Sequence, residues 1–145
     1  MTDALRNGTF RLPVRVYYED TDAAGVVYYA NYLKFMERAR TEWLSALGFD
    51  LGALEREHGI AFAVHHADIR YHQPGRLGDR LAVTVAMHER GRSRFVAVQE
   101  VRRGEDVLVD ARITLACLDR QDWRPTRIPL SLAERLALPR LEIAD

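Results

Sequence analysis

Between Tyr32 and Leu47 apolar residues return every three or four positions, at Tyr32, Leu33, Met36, Ala39, Trp43 and Leu47. That spacing follows one face of an α-helix and predicts a helix over about Tyr29 to Leu47. Phe35 and Leu44 widen the stripe, so the helix should be largely enclosed. Gly48 is a natural C′ stop, and Asp50 can cap a short second helix over Leu51 to Glu57, ended by His58–Gly59. From Ile60 onward the period drops to two. AFAVHHADIRY, RLAVTVAMHER, RFVAVQEVRR and VLVDARITLACL read as strands, broken by QPGRLGD, ERGRS and the hairpin signal RGED.

Before the long helix, a strand is expected over about Arg11 to Tyr18, with Pro13 marking an edge or a strand start. At the far end PLSLAERLAL places Ser131 three residues before Glu134, a capping box for a short terminal helix. One strand, one long helix and then a run of strands joined by short turns predict an α+β domain with an antiparallel sheet. Neither repeats nor linker-like stretches divide residues 1–145, so one domain is expected. A single long helix leaves one sheet face and the edge strands uncovered. Burial by a second copy is the economical solution, which predicts a homo-oligomer.

Charge narrows the possible partners. Lys plus Arg and Asp plus Glu both number 21, which argues against a bulk attraction for nucleic acid or anionic membrane. No apolar run approaches the roughly 18 residues of a membrane span. The stretch MTDALRNGTF lacks the apolar core of a signal peptide, and a cytoplasmic protein is expected. The single cysteine, Cys117, falls on the strand face shared by Val107, Val109, Ala111, Ile113 and Leu115, so it reads as a small core residue rather than a nucleophile. His65 and His66 adjoin in a strand and should point to opposite faces, and His58, His72 and His88 form no ligand spacing. Neither a metal nor a redox cofactor is expected.

The chemistry concentrates in EDTDAAGVVYYANY, Glu19 to Tyr32, where a polar turn runs straight into an apolar helix start. Turn formation alone accounts for Asp20 and Asp22 as well as function does. RVYYEDTDAAGVVYYANY followed by MERARTEWL resembles the signature region of hotdog-fold acyl-CoA thioesterases of the 4-hydroxybenzoyl-CoA thioesterase family, above all the branch associated with the bacterial Tol–Pal envelope system. Arg15, Val16, Thr21, Asp22, Gly25, Val26, Val27 and Tyr32 carry the likeness, and PGRLGD, ERGRS and LACLDRQDWRPTRIP extend it along the chain. Many members of that branch have histidine where this chain has Tyr29, so that histidine's role does not carry over.

The resemblance implies a hotdog fold, an antiparallel sheet wrapped around one long central helix, and hydrolysis of acyl-CoA thioesters to free acid and CoA. Asp22 would be the base or nucleophile, with Gly25 shaping the turn and N–H groups around Tyr28 and Tyr29 polarising the thioester carbonyl. Asp20 would be structural. Glu37, on the helix, is the reserve carboxylate. Arg92, Ser93 and Arg90 at the Gly91 turn are the candidates for the nucleotide end of CoA, with Arg70, Arg76 and Arg80 weaker ones. CoA enters here as part of the substrate. An acyl carrier protein is a further partner in keeping with that branch, and the family often assembles as dimers of dimers, hence a homotetramer. A competing expectation is a non-hydrolytic or weakly active acyl-thioester binding module. A hotdog dehydratase fits less well, because no histidine precedes His58.

Overall fold

The computed structural model describes residues 5–6 and 8–137. Six antiparallel strands form one sheet: β1 (Leu5–Arg6), β2 (Thr9–Arg15), β3 (Ile60–Tyr71), β4 (Arg80–Arg90), β5 (Arg94–Arg103) and β6 (Asp106–Asp119). Their order across the sheet is β1-β2-β4-β5-β6-β3. Helix α1 (Asn31–Ala46) lies across β2, β4 and β5, α2 (Leu51–His58) packs on β3, and α3 (Leu130–Ala137) on β4. The α+β expectation holds.

The main strands fall where alternation placed them: β2, β4 and β5 each turn one face to α1, while β3 packs on α2. Leu81, Val83, Val85 and Met87 of β4 are buried, as are Phe95, Ala97 and Val101 of β5. Cys117 is also buried, and burial pushes its thiol up to about 11. Helix α1 ends in a Schellman motif, with the Gly48 N–H donating to Ser45 O and the Phe49 N–H to Leu44 O. Gly48 supports it at φ +96°. Asp50 caps α2 by accepting the Ala53 N–H at 3.0 Å.

Four expectations need correction. The first strand is Thr9–Arg15, with β1 paired to its start, and Tyr18–Asp20 is a turn of 3-10 helix. Pro13 fits because, among the described residues, β1 pairs only with Thr9 and Phe10 of that edge. Helix α1 is enclosed on one side only: Leu33 is 40% exposed and Glu37, Arg38 and Glu42 are exposed, while Arg40 is buried. The Arg40 Nη1 donates to Gln99 Oε1 at 2.9 Å, and Gln99 Nε2 donates to Met36 O at 3.1 Å. Helix α3 starts at Leu130, so Ser131 lies inside its first turn rather than at the cap. Last, the register of β3 slips between Val64 and His66, so strict alternation does not govern the two histidines there.

Candidate active site

The segment between β2 and α1 is held by two aspartates with different surroundings. Asp20 is buried. Its carboxylate accepts the Tyr17 N–H at 2.8 Å and the Asn31 side-chain amide at 2.8 Å, and its carbonyl accepts the Tyr28 N–H at 2.9 Å. One residue therefore ties the strand exit to the helix entrance. Asp22 is exposed and heads a tight turn, its N–H donating to Val26 O at 2.9 Å and its carbonyl accepting the Gly25 N–H at 3.0 Å. Oδ1 of Asp22 accepts the Ala24 N–H at 2.8 Å and, more weakly, the Val26 N–H at 3.4 Å. Among the described residues Oδ2 accepts no hydrogen bond and the carboxylate has no ion pair. The turn orients one oxygen and leaves the other open.

Gly25 is needed for its conformation. At φ +83° an L side chain is strained, although a Cβ there would meet nothing within 4 Å. Gly75, across the loop, is needed for space. Its Cβ would sit 3.1 Å from Val27 Cγ2 and 3.4 Å from the Tyr32 hydroxyl. The Gly75 carbonyl accepts the Val27 N–H at 2.8 Å, and its N–H donates to the Tyr32 hydroxyl at 2.9 Å. Burial raises the Tyr32 pKa, partly offset by that Gly75 N–H.

Below lies Asp79, which accepts from Arg103 Nη1 at 2.8 Å and from the Arg76 N–H at 2.9 Å. Burial works against its charge, but Arg103 and the Arg76 N–H outweigh that and hold its carboxyl below the usual range. Arg103 Nη1 also donates to Pro74 O at 3.3 Å. Arg103 thereby fastens the 74–79 loop to β5, and the loop meets the motif at Val26 and Val27.

Helix α1 starts without a side-chain cap. The N–H groups of Tyr29 and Ala30 donate to no acceptor among the described residues. The Tyr28 N–H, expected to be a donor to substrate, is instead consumed by Asp20 O. Open amides at a helix start carry partial positive charge and suit a developing oxyanion. Beside them is a groove of about 270 Å³ lined by Val27, Tyr29, Tyr32, Tyr71, Gln73 and Pro74. The Tyr29 ring meets Tyr71 edge-on at 6.2 Å and Tyr28 at 5.1 Å. Asp22 stands beside this groove's chain segment without lining it.

The remaining candidates are dispersed. Glu37 is exposed on α1, accepts the Thr41 hydroxyl at 2.8 Å, and borders a separate apolar cavity of about 350 Å³ with Leu44, Leu54, Phe62 and Phe95. Arg90 and Arg92 come together at the β4–β5 turn, where Ser93 O accepts the Cys117 N–H at 2.7 Å. A cavity of about 530 Å³ there also includes Arg127, which the sequence reading missed. The Ile128 N–H donates to Arg92 O at 2.9 Å and the Thr126 N–H to Cys117 O at 2.9 Å, long-range bonds that no local pattern announces. The Nε of Arg90 is buried without a hydrogen-bond partner among the described residues. This turn and the Asp22 loop lie at opposite ends of β4, whose length corresponds to about 35 Å of strand. Arg76 is the arginine nearest to the motif, through a bridge between Val26 and Arg76, while Arg70 and Arg80 are exposed on the strands.

Residues 16–136 match the Thioesterase-like superfamily. The chain is 40% identical over 124 residues to an acyl-CoA thioester hydrolase YbgC of Escherichia coli O6:H1, covering 85% of this chain and 92% of that protein. It is 42% identical over 125 residues to the acyl-CoA thioesterase YbgC of Haemophilus influenzae, covering 86% and 91%. The crystal structure of a probable thioesterase from Bartonella henselae superposes with a TM-score of 0.80 at 33% identity, covering 83% of this chain and 99% of that one. The likeness read from the Thr21–Val27 motif is borne out: the chain belongs to the thioesterase-like superfamily and is a hotdog-fold thioester hydrolase.

Proposed function

We propose that the chain hydrolyses acyl-CoA thioesters to free acid and CoA, with Asp22 as base or nucleophile and the Tyr29 and Ala30 N–H groups as oxyanion donors. The observation that carries this reading is the pairing of an open Asp22 oxygen with open amides at an uncapped helix start, seven and eight residues further along the sequence. A thioester needs no more elaborate apparatus. A thiol of pKa about 8.5 leaves as thiolate near neutral pH, so a positioned acid is not obligatory. A carboxylate can attack the carbonyl or take a proton from water. In either route negative charge grows on the thioester oxygen, where preorganised amides act most strongly. Removing one such donor typically costs about 10²- to 10³-fold in rate. Gly25 serves by permitting the turn, and Tyr29 by its backbone and its groove-lining ring.

The relatives named for acyl-CoA hydrolysis support CoA as the carrier. Arg90, Arg92 and Ser93, with Arg127, are assigned to its phosphates, since guanidinium forks suit phosphate oxygens. Their distance from Asp22 along one chain means that a neighbouring copy would supply them. Among the described residues strand β3 pairs with β6 on one side only, and Val64 on it is 53% exposed, which supports burial of this edge in a homo-oligomer. No described helix is long and apolar enough to cross a membrane, and a cytoplasmic setting suits a CoA-dependent reaction. The test is release of free thiol from a panel of aliphatic and aromatic acyl-CoAs. Turnover of at least one class is expected; binding without release from every member would favour an acyl-thioester binding module instead.

A further inference from the structure

We infer that Tyr71 is a positioning residue for thioester hydrolysis: its hydroxyl holds the Tyr29–Ala30 peptide so that the Ala30 N–H stays aimed at the reacting oxygen. The inference rests on the reading of Ala30 as an oxyanion donor and assigns the group that orients it.

The first turn of α1 does not fix this peptide by itself. The Asn31 N–H donates to Tyr28 O at 2.8 Å and the Leu33 N–H to Ala30 O at 3.2 Å, but the Tyr29 carbonyl takes no backbone N–H among the described residues. It accepts the Tyr71 hydroxyl instead, at 3.3 Å. A trans peptide is planar, with C=O and N–H pointing in opposite directions. Whatever pins the Tyr29 oxygen therefore also pins the Ala30 hydrogen. Without that bond the plane can rock about its flanking dihedrals, and a donor that must reorganise during the reaction loses most of its advantage.

Tyr71 is well placed for the task. It is the last residue of β3, a different element from the helix, so its hydroxyl is referenced to the sheet. Its ring is braced by Tyr29 at 6.2 Å and Tyr32 at 5.8 Å, and Tyr32 is in turn fixed by the Gly75 N–H. Burial, reinforced by Tyr29 and Tyr32, raises its pKa, so the phenol keeps the proton it donates at neutral pH. A role in packing alone would need the ring but not the oxygen, and Tyr71→Phe separates the two.

In Tyr71→Phe, kcat for a good acyl-CoA substrate should fall about tenfold, a fraction of the loss of a whole donor. KM should stay within about twofold and the melting temperature should not change. Affinity for a CoA-linked trifluoromethyl ketone, which becomes tetrahedral at the reacting carbon, should fall by the same factor as kcat/KM. Affinity for an S-alkyl-CoA thioether, which has no carbonyl, should be unaffected. Wild-type kcat in Tyr71→Phe, or equal weakening of both analogues, overturns the inference. So does a pattern in which Tyr71→Leu is impaired and Tyr71→Phe is not, since only the ring would then matter. A wild-type Tyr71→Phe beside an inactive Asp22→Asn would remove this inference alone, whereas an active Asp22→Asn would remove the reading beneath it.

Discussion

Two carboxylates two residues apart, Asp20 and Asp22, look alike in a one-dimensional pattern and differ in every physical respect in the fold. Asp20 is buried and has two hydrogen bonds to its carboxylate; Asp22 is exposed and has an oxygen to spare. Replacing Asp20 by alanine would strand the Tyr17 N–H and the Asn31 amide, at a cost of about 2 kcal/mol and a clear drop in melting temperature. Asp22→Ala should cost far less stability, because turn bonds at an exposed site are readily replaced by water. Thermal melts of the two variants side by side check the assignment. Local chemistry could not have separated them: what distinguishes Asp20 is Asn31, eleven residues away. The same holds for Tyr28, whose N–H was expected to serve substrate and is instead used by Asp20.

Among the secondary-structure elements, strand identities and most boundaries were legible because the core-facing positions recur with a period of two, most clearly in β5 and β6. The terminal capping box misled, since helix α3 begins one residue before Ser131. Helix α1 was legible as a helix but not in its polar contacts with the sheet. Arg40 is buried, and burial lowers its pKa, with Glu37 opposing that shift. The Gln99 side chain carries the bond that compensates it. Gln99→Leu leaves a guanidinium without that acceptor and should cost about 3 kcal/mol, read in denaturant unfolding. The 74–79 loop gives a prediction in pH. Asp79 holds its proton less tightly in the folded protein than in the unfolded chain, so the unfolded chain binds more protons as the pH falls. Its contribution is full above the ordinary aspartate range and disappears as the pH drops through the depressed folded value. Melts between neutral pH and pH 3 should show a smaller acid loss in Asp79→Asn, which begins less stable, than in the wild type.

For the molecule as a whole, fold and family could be read from the chain, but the arrangement of the site could not. The motif and the Gly91 arginines were grouped by function in the sequence reading, yet β4 holds them at opposite ends of the sheet. Long-range placement of this kind depends on strand length and pairing order, which no local motif encodes. If a second copy completes the site, activity and assembly should fail together. Val64→Arg, on the open edge of β3, should reduce the mass seen by light scattering to that of one chain and lower thioesterase activity with it. The most direct measurement is kcat for thiol release by Asp22→Asn beside the wild type, with melting curves to show that both are folded. The account predicts a fall of at least about a hundredfold at unchanged melting temperature, in the range of a lost catalytic group. Wild-type turnover by the folded variant would contradict it.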